Sequence, residues 1–494
     1  MFHGNLETAT LDIKWLPTGY ELRSVRLPRG GCDTFPTMHL SKNNSAALRQ
    51  LLTLLVCAAL AWSLAGCAAL DPQHVLTRHI GNAAPADGVA LDIAARQQAF
   101  DFVWSRINEA YVDPYFKGVN WQQVGTDHRD KILTAPDDAL FWKRLDTMVA
   151  ELGDAHTRVL SPRQYAAYKD KQTVTTGLSL ARLNSDIVVV AVAKDSAGEK
   201  AGIAKGHKLL TIDGLDATDW WQQQTLKARK NSTLRAQFNS VKRSFNRGDP
   251  EYPKDNVSVR LERADTTQFD AVLARGVRPY KDALTTQVFP SGLGYLRLTG
   301  FDLKLLPSVL PAFKKLKDVP ALVIDLRGNS GGAVLLATEM MNYLVQGEVM
   351  LGKKVTRSGQ APSLFFGLLR LGSMDLKLQG VKAPYLAPVV VLVDSESASS
   401  SELFAGSLQS MGRAEIVGET TCGCLLGYLG YANVPGGGAL SYSELDMVPA
   451  LGKRIEGVGV IPDHAIALSR QDLIDGKDRA LERAIQVLET RLGR

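Results

Sequence analysis

Hydrophobic positions along the chain change their period twice. Between Val89 and about Leu160 apolar residues recur at helical spacing, first as Phe100, Phe102, Val103, Ile107 and Ala110, then as Phe141, Leu145, Met148, Val149 and Leu152. That stretch predicts a helical subdomain over 89–170. From Thr173 to about Val277 short β runs replace it: Ile187 to Val192, Lys208 to Gly214, and Val257 to Leu261, which alternates with period two as a half-buried strand does. A polar, basic stretch from Thr218 to Asn256 interrupts them, too long for a simple connection, and predicts an inserted helix or loop. From Leu293 onward strands alternate with helices. Leu293–Leu298 and Ala321–Leu326 are strands, and Val389–Val393 is a nearly continuous β-branched run suited to burial on both faces. Helices are expected from about Ala333 and Ser401. Residues 280–494 therefore predict an α/β layer around a mostly parallel sheet.

The N-terminal pattern is of another kind. Leu51 to Leu64 is apolar and uncharged, with Lys42 and Arg49 before it. The run is short for a membrane span, which needs about 20 residues, but it suits the apolar region of an export signal. It ends in Leu64-Ala65-Gly66-Cys67, which resembles the lipobox of bacterial lipoprotein precursors. That resemblance implies lipidation of Cys67 and attachment to the cell envelope facing the periplasm; Ala68, rather than Asp, after Cys67 favours the outer membrane. An uncleaved short anchor or a buried helix is the competing reading. Residues 1–67 are thus expected to be leader and signal, with Met38 as the expected true start, and 68–88 a polar tether.

Composition narrows the class. At 494 residues the chain should hold two or three domains. A net charge of +6 without any block of like charge argues against nucleic acid as a partner. The five cysteines, Cys32, Cys57, Cys67, Cys422 and Cys424, show no spacing with histidines that a zinc site would require. No metal or cofactor is expected.

Two segments could carry chemistry. Asp325-Leu326-Arg327-Gly328-Asn329-Ser330-Gly331-Gly332 runs from a strand into a glycine-rich turn, which frees backbone N–H groups to face a ligand. It lacks the Gly-Lys-Ser/Thr ending of a P-loop; a plain turn, or an oxyanion hole using the same dipoles, remains. Asp394-Ser395-Glu396-Ser397-Ala398-Ser399-Ser400-Ser401-Glu402 follows the Val389–Val393 strand. Its serines either cap a helix or present a hydroxyl at the sheet edge.

Together with Gly153-Asp154-Ala155-His156-Thr157, Gly418-Glu419-Thr420-Thr421 and Gly457-Val458-Gly459-Val460-Ile461-Pro462-Asp463, these segments closely resemble the tail-specific (C-terminal processing) serine peptidases, relatives of the tricorn core. The motif order is the family's, from Val89 to Ile466. The resemblance implies a crotonase/ClpP-like α/β core, an inserted β-rich PDZ-like domain over 173–277 and an N-terminal helical subdomain. It implies Ser399 as nucleophile and an oxyanion hole from Ser400 and the Gly331/Gly332 pair. It also implies a peptide-carboxylate loop at Gly177-Leu178-Ser179-Leu180, with protein or peptide substrates.

The chain departs from the family's lysine-type branch. Cys424 stands where that branch has its lysine, and Tyr428 where it has a glutamine. The other branch uses a histidine, matched here by His156, with a carboxylate behind it, matched by Glu456. The expected mechanism is acyl transfer to water through Ser399, His156 and Glu456. The rival from another class is a catalytically silent PDZ-containing adaptor. Cys422 and Cys424 are expected either to form a disulfide or to remain free thiols, with small-residue packing favoured over redox control.

Overall fold

A computed structural model describes residues 71, 74–79, 90–248, 255–365 and 368–494. Met38, the apolar run 51–64, Cys67 and most of the 68–88 tether lie outside the described residues. Among the described residues no helix is long and apolar enough to cross a membrane.

The first layer is helical. α1 (Ile93–Ala110) starts where Asp92 accepts from the Ala95 N–H, and it buries Ala99, Phe100, Val103 and Ile107 on one face. α2 (Trp121–Leu133) and α3 (Asp138–Ala150) close on it, α3 contributing Phe141, Leu145, Met148 and Val149 to the same core. The chain then enters a short strand, β1 (Arg158–Leu160), and α4 (Pro162–Lys169), whose start is held by a reciprocal Ser161–Gln164 capping box.

A β-rich unit follows. β2 (Gln172–Thr175) leads into β3 (Leu178–Leu183), β4 (Asp186–Val192) and β5 (Lys208–Ile212). The basic stretch forms α5 (Ala217–Lys227) and α6 (Leu234–Arg247). β6 (Asn256–Glu262) and β7 (Gln268–Ala274) complete an antiparallel sheet of order β3-β4-β5-β6-β7. Its core holds Val257, Val259 and Leu261 from β6 together with Trp221, Val241 and Phe245 from the two helices. β8 (Gly276–Pro279) pairs with β2, so one two-stranded ribbon brings the chain in and out of this unit.

The C-terminal region is the α/β layer. β9 (Leu284–Val288) and β10 (Gly294–Leu298) precede α7 (Leu306–Leu316); β11 (Leu322–Asp325) leads to α8 (Val334–Asn342), and β12 (Val389–Val393) to α9 (Ser400–Ser410). β13 (Glu415–Gly418) follows, then a small pair, β14 (Ala432–Val434) and β15 (Gly438–Ser441), then β16 (His464–Ala465) and α10 (Arg479–Arg491). The sheet order is β9-β10-β11-β12-β13-β16, parallel from β10 onward. Alternation explains the apolar run in β12. Val389, Val391 and Val393 face the core under α7 to α9, while Val390 and Leu392 face Ala484 and Leu488 of α10.

One connection matters most for function. β1, from the helical layer, pairs antiparallel with β15, from the far end of the chain, Arg158 opposite Ser441. This small sheet ties the Gly-Asp-Ala-His-Thr segment to the α/β layer.

Candidate active site

The glycine-rich turn begins at Asp325, which is fully buried. It accepts from the Tyr295 hydroxyl at 2.7 Å, from Arg297 at 2.7 Å and from the Arg327 guanidinium at 2.8 and 3.0 Å. Burial works to raise its pKa, but the Arg327 and Arg297 contacts outweigh it and hold the carboxyl below its ordinary value. Asn329 then locks the turn. Its Nδ2 donates to Leu298 O at 3.0 Å, its Oδ1 takes the Gly331 N–H at 2.9 Å, and its carbonyl takes the Ala398 N–H at 3.0 Å and the Ser401 hydroxyl at 2.8 Å.

These bonds press the turn against the start of α9. A Cβ on Gly331, where φ is +97°, would fall 2.6 Å from Ser399 Cβ, so only glycine fits. Ser399 has φ +56° and ψ −118°, a conformation uncommon for a non-glycine residue that places its side chain outside the helix it precedes. Its N–H donates to Cys424 O at 3.1 Å and to Glu402 Oε2 at 3.0 Å. Glu402 is fully buried and accepts three further bonds: from the Thr421 hydroxyl at 2.5 Å, Gly423 N–H at 2.6 Å and Cys424 N–H at 2.8 Å. Burial still pushes its pKa up. The segment 421–424 is thereby bonded to the serine turn. Cys422 and Cys424 are joined as a disulfide, packed with Ala236 against Ala155 and Ala398.

The Ser399 hydroxyl faces His156, with Nε2 3.3 Å from Oγ. His156 sits one residue after Ala155 and two before β1, and its carbonyl accepts from Ser441 Oγ of β15 at 2.7 Å. Burial lowers the pKa of its imidazole; Asp154 opposes that and Arg158 adds to it. Asp154 is fully buried, taking the His156 N–H at 2.8 Å, the Thr157 hydroxyl at 2.5 Å and the Ser443 hydroxyl at 2.6 Å. Burial opposes its ionisation, yet His156 and these hydroxyls hold it below its ordinary value.

Glu456 lies behind this pair. Its Oε2 accepts the Leu425 and Leu426 N–H groups at 2.7 and 3.3 Å, and its Oε1 is 3.7 Å from Lys117 Nζ. Burial and the neighbouring Asp154 raise its pKa, while Ser232 beside it draws it down. The same Ser232 hydroxyl accepts from Ala155 N–H at 3.2 Å. No hydrogen bond joins Glu456 to the His156 ring, whose Nδ1 has no partner among the described residues.

A small cavity of about 80 Å³ opens on this group, lined by His156, Gly332, Ser399, Ser400, Leu425 and Tyr428 among others. Tyr428, at the position of the lysine-type glutamine, has its ring centroid 6.0 Å from that of His156. Among the described residues no lysine lines the cavity. The Gly332 and Ser400 N–H groups have no acceptor among the described residues, whereas Gly331's is taken by Asn329. Gly332 and Ser400 are thus the amides free to meet an oxyanion. Gly177 to Leu180 stand at the start of β3 and outside the cavity lining, with the Gly177 N–H donating to Thr175 Oγ1 at 2.9 Å. Among the described residues no group of three His, Cys, Asp or Glu side chains is placed to hold a metal ion.

Three residues near the site had no role assigned from sequence. Asp154 stood inside the quoted histidine motif and Glu402 at the end of the serine run, so both were in view. Ser232 lies in the α5–α6 stretch, and nothing local marked it.

Residues 292–466 match the description "Peptidase family S41", and residues 93–142 match "Tricorn protease C1 domain". Residues 292–466 thus carry a peptidase family S41 domain. The chain is a serine-type peptidase, similar to carboxyl-terminal-processing proteases. It is 27% identical to a carboxyl-terminal-processing protease of Picosynechococcus, over 74% of this chain and 81% of that one. A chloroplastic carboxyl-terminal-processing peptidase of Arabidopsis thaliana is 25% identical, over 77% and 70%. Among solved structures, a photosystem II D1 C-terminal processing protease aligns with 25% identity and a TM-score of 0.50, covering 80% of this chain and 97% of its own. Mature CPAF complexed with lactacystin shares the fold at 15% identity and a TM-score of 0.61, over 81% and 99%.

Proposed function

We propose that this chain is an exported, lipid-anchored serine endopeptidase that hydrolyses peptide bonds of protein substrates through Ser399, His156 and Glu456. The observation that carries the reading is the 3.3 Å approach of His156 Nε2 to Ser399 Oγ, between residues 243 positions apart. His156 takes the Ser399 proton as Oγ attacks the peptide carbonyl. The Gly332 and Ser400 amides hold the oxyanion. The imidazolium, stabilised by Asp154 with Ser232 and Glu456 behind it, then protonates the leaving amine, and water releases the acyl-enzyme.

The 173–277 unit is read as PDZ-like, with Gly177 to Leu180 receiving a substrate C-terminus at the edge of β3, and the α/β layer as a crotonase/ClpP-like core. The C-terminal-processing names of the relatives favour protein tails as substrates. Cys67 carries the lipid, in the outer membrane facing the periplasm. Replacement Cys67→Ala is expected to abolish palmitate incorporation and membrane recovery; unchanged recovery would refute the anchor.

Hydrolysis of internally quenched peptides tests the chemistry. The Ser399→Ala chain is expected to lose about 1,000-fold or more in kcat. Equal hydrolysis by both chains would sink the reading.

A further inference from the structure

Part of the stretch expected to be only a tether is seated on the α/β layer, beside the catalytic cavity. Asp71 is buried and folds this strap on itself, accepting the Val75, Leu76 and Thr77 N–H groups at 2.6, 2.9 and 2.7 Å and the Thr77 hydroxyl at 2.9 Å. A single turn, Thr77–His79, follows, and the His79 carbonyl accepts from Asn433 Nδ2 of β14 at 2.8 Å. Between these two attachments stands Arg78, with only 2% of its surface exposed.

The Arg78 guanidinium joins this strap to the far end of the chain. Its Nη2 and Nη1 donate to the two carboxylate oxygens of Glu444 at 2.9 and 3.1 Å, the forked geometry that suits arginine and carboxylate. Nη1 also donates to Gly430 O at 3.2 Å, and Nε turns back to His74 O at 3.0 Å. Burial opposes the charge, yet Glu444 outweighs it and raises the Arg78 pKa. Glu444 is buried as well, and its Oε2 takes the Leu429 N–H at 2.8 Å.

These bonds close around Tyr428. Leu429 and Gly430, the two residues after it, are bonded to Glu444 and Arg78. Gly427, the residue before it, donates to Leu445 O at 2.7 Å, and its carbonyl accepts from the Glu444 and Leu445 N–H groups at 2.8 and 3.0 Å. Gly427, Tyr428 and Leu445 line the catalytic cavity together with Ser399, Ser400 and Gly332. A peptide bond held between Ser399 and the Gly332 and Ser400 amides therefore lies against this wall. The Ser399 backbone itself is fixed by Glu402 and Cys424, with no bond to the strap among the described residues. Without Arg78, Glu444 would be a buried carboxylate stripped of its cation. Turning it towards water releases the Leu429 N–H and with it the wall.

We propose that Arg78 is a positioning residue of the peptidase: through Glu444 it holds the Gly427–Gly430 wall against which the substrate backbone lies, so that residues 74–79 are part of the active site. The inference rests on the Ser399–His156 reading for the location of that site, but binding of peptide against the wall does not require the chemistry.

Two peptide readouts and one small probe separate positioning from a structural role. In a folded Arg78→Ala chain, kcat/KM for an internally quenched peptide is expected to fall about tenfold. A fluorescein-labelled peptide of the same sequence, followed by anisotropy, should bind the whole Ser399→Ala/Arg78→Ala chain about tenfold more weakly than the Ser399→Ala chain. Modification of Ser399 by a small fluorophosphonate does not use the wall, and its rate should change by about threefold or less. Millimolar guanidinium, which fits the vacated space against Glu444, should restore most of the loss, and equal tetramethylammonium should not. Should the alanine chain not fold, Arg78→Lys carries the test; it keeps the charge without the fork, and a loss of about threefold is expected. Unchanged kcat/KM and binding overturn the proposal. So does a fall of all three readouts by the same factor, which would make Arg78 a prop of the fold alone, or a loss that guanidinium leaves untouched. Binding that weakens as expected, while no chain hydrolyses peptide or is modified at Ser399, would leave the wall standing and refute the Ser399–His156 reading.

Discussion

Ser399 and His156 face each other across 3.3 Å, yet they are held by different means. On the serine side the bonds that fix the backbone around Ser399 run among three stretches, 325–332, 394–402 and 421–424. Glu402 alone accepts four bonds there, and Asn329 ties the glycine turn to the serine turn. On the histidine side the support is drawn from across the chain: Lys117, Ser232, Ser443 and Glu456 surround Asp154 and His156, and the ring's Nδ1 has no partner among the described residues. The nucleophile is therefore set by rigid local geometry, whereas the base depends on the docking of the helical layer through β1 and β15. Rigid placement of a strained residue requires such over-determination; a base can be tuned by more distant charges.

Replacements on the two sides should differ accordingly. Among the residues that support the pair, the largest effect is expected from Gly331→Ala, which drives a methyl group into Ser399 Cβ at a positive φ. A displacement of the nucleophile by a fraction of an ångström should lower kcat about 100-fold, read by steady-state hydrolysis. Next is Asp154→Asn, which removes the charge nearest the imidazole, with an expected loss of about tenfold in kcat/KM. Glu456→Gln should cost less than Asp154→Asn, because its carboxylate serves the Leu425 and Leu426 amides and not the ring. The reverse order would make Glu456 the principal carboxylate and break the comparison as drawn.

The pH dependence sharpens it further. Burial holds the His156 pKa below its ordinary 6.5, and catalysis needs the neutral ring. The acid limb of the kcat/KM profile should therefore have its midpoint under pH 6.5. The unfolded chain takes up this proton first as pH falls. Stability from this group accordingly drops from pH 6.5 down to the lower folded value and is level outside that window, as denaturant titration would record. The smallest effect is expected for Cys422→Ser/Cys424→Ser. The Cys424 carbonyl and N–H bond to Ser399 and Glu402, and the Cys422 N–H to Ser397 O, none of them through sulfur, so activity should change by about threefold or less in reducing and oxidising buffer alike.

The same contrast explains what was legible in the sequence. The continuous apolar run Val389–Val393 and the glycine and serine turns are local patterns, and they mark the sheet, α8 and α9 close to where they occur. The basic stretch 218–256 read only as an insertion; its two helices are defined by Trp221, Val241 and Phe245 packing on the β-rich unit, a tertiary cause. His156 was visible through its motif, but Ser232 was not, since its place beside Glu456 and Ala155 exists only after α6 has docked. Which amide of the Gly331/Gly332 pair is free likewise depends on Asn329 Oδ1, and spacing alone does not reveal that bond.

The central claim is that His156 activates Ser399, and the rate of Ser399 modification by a fluorophosphonate tests it most directly. Mass mapping of the adduct in the parent and in folded His156→Ala chain would give both site and rate. The account predicts an adduct on Ser399 that forms about 100-fold more slowly without the imidazole. An adduct on another residue, or equal rates in the two chains, would contradict it.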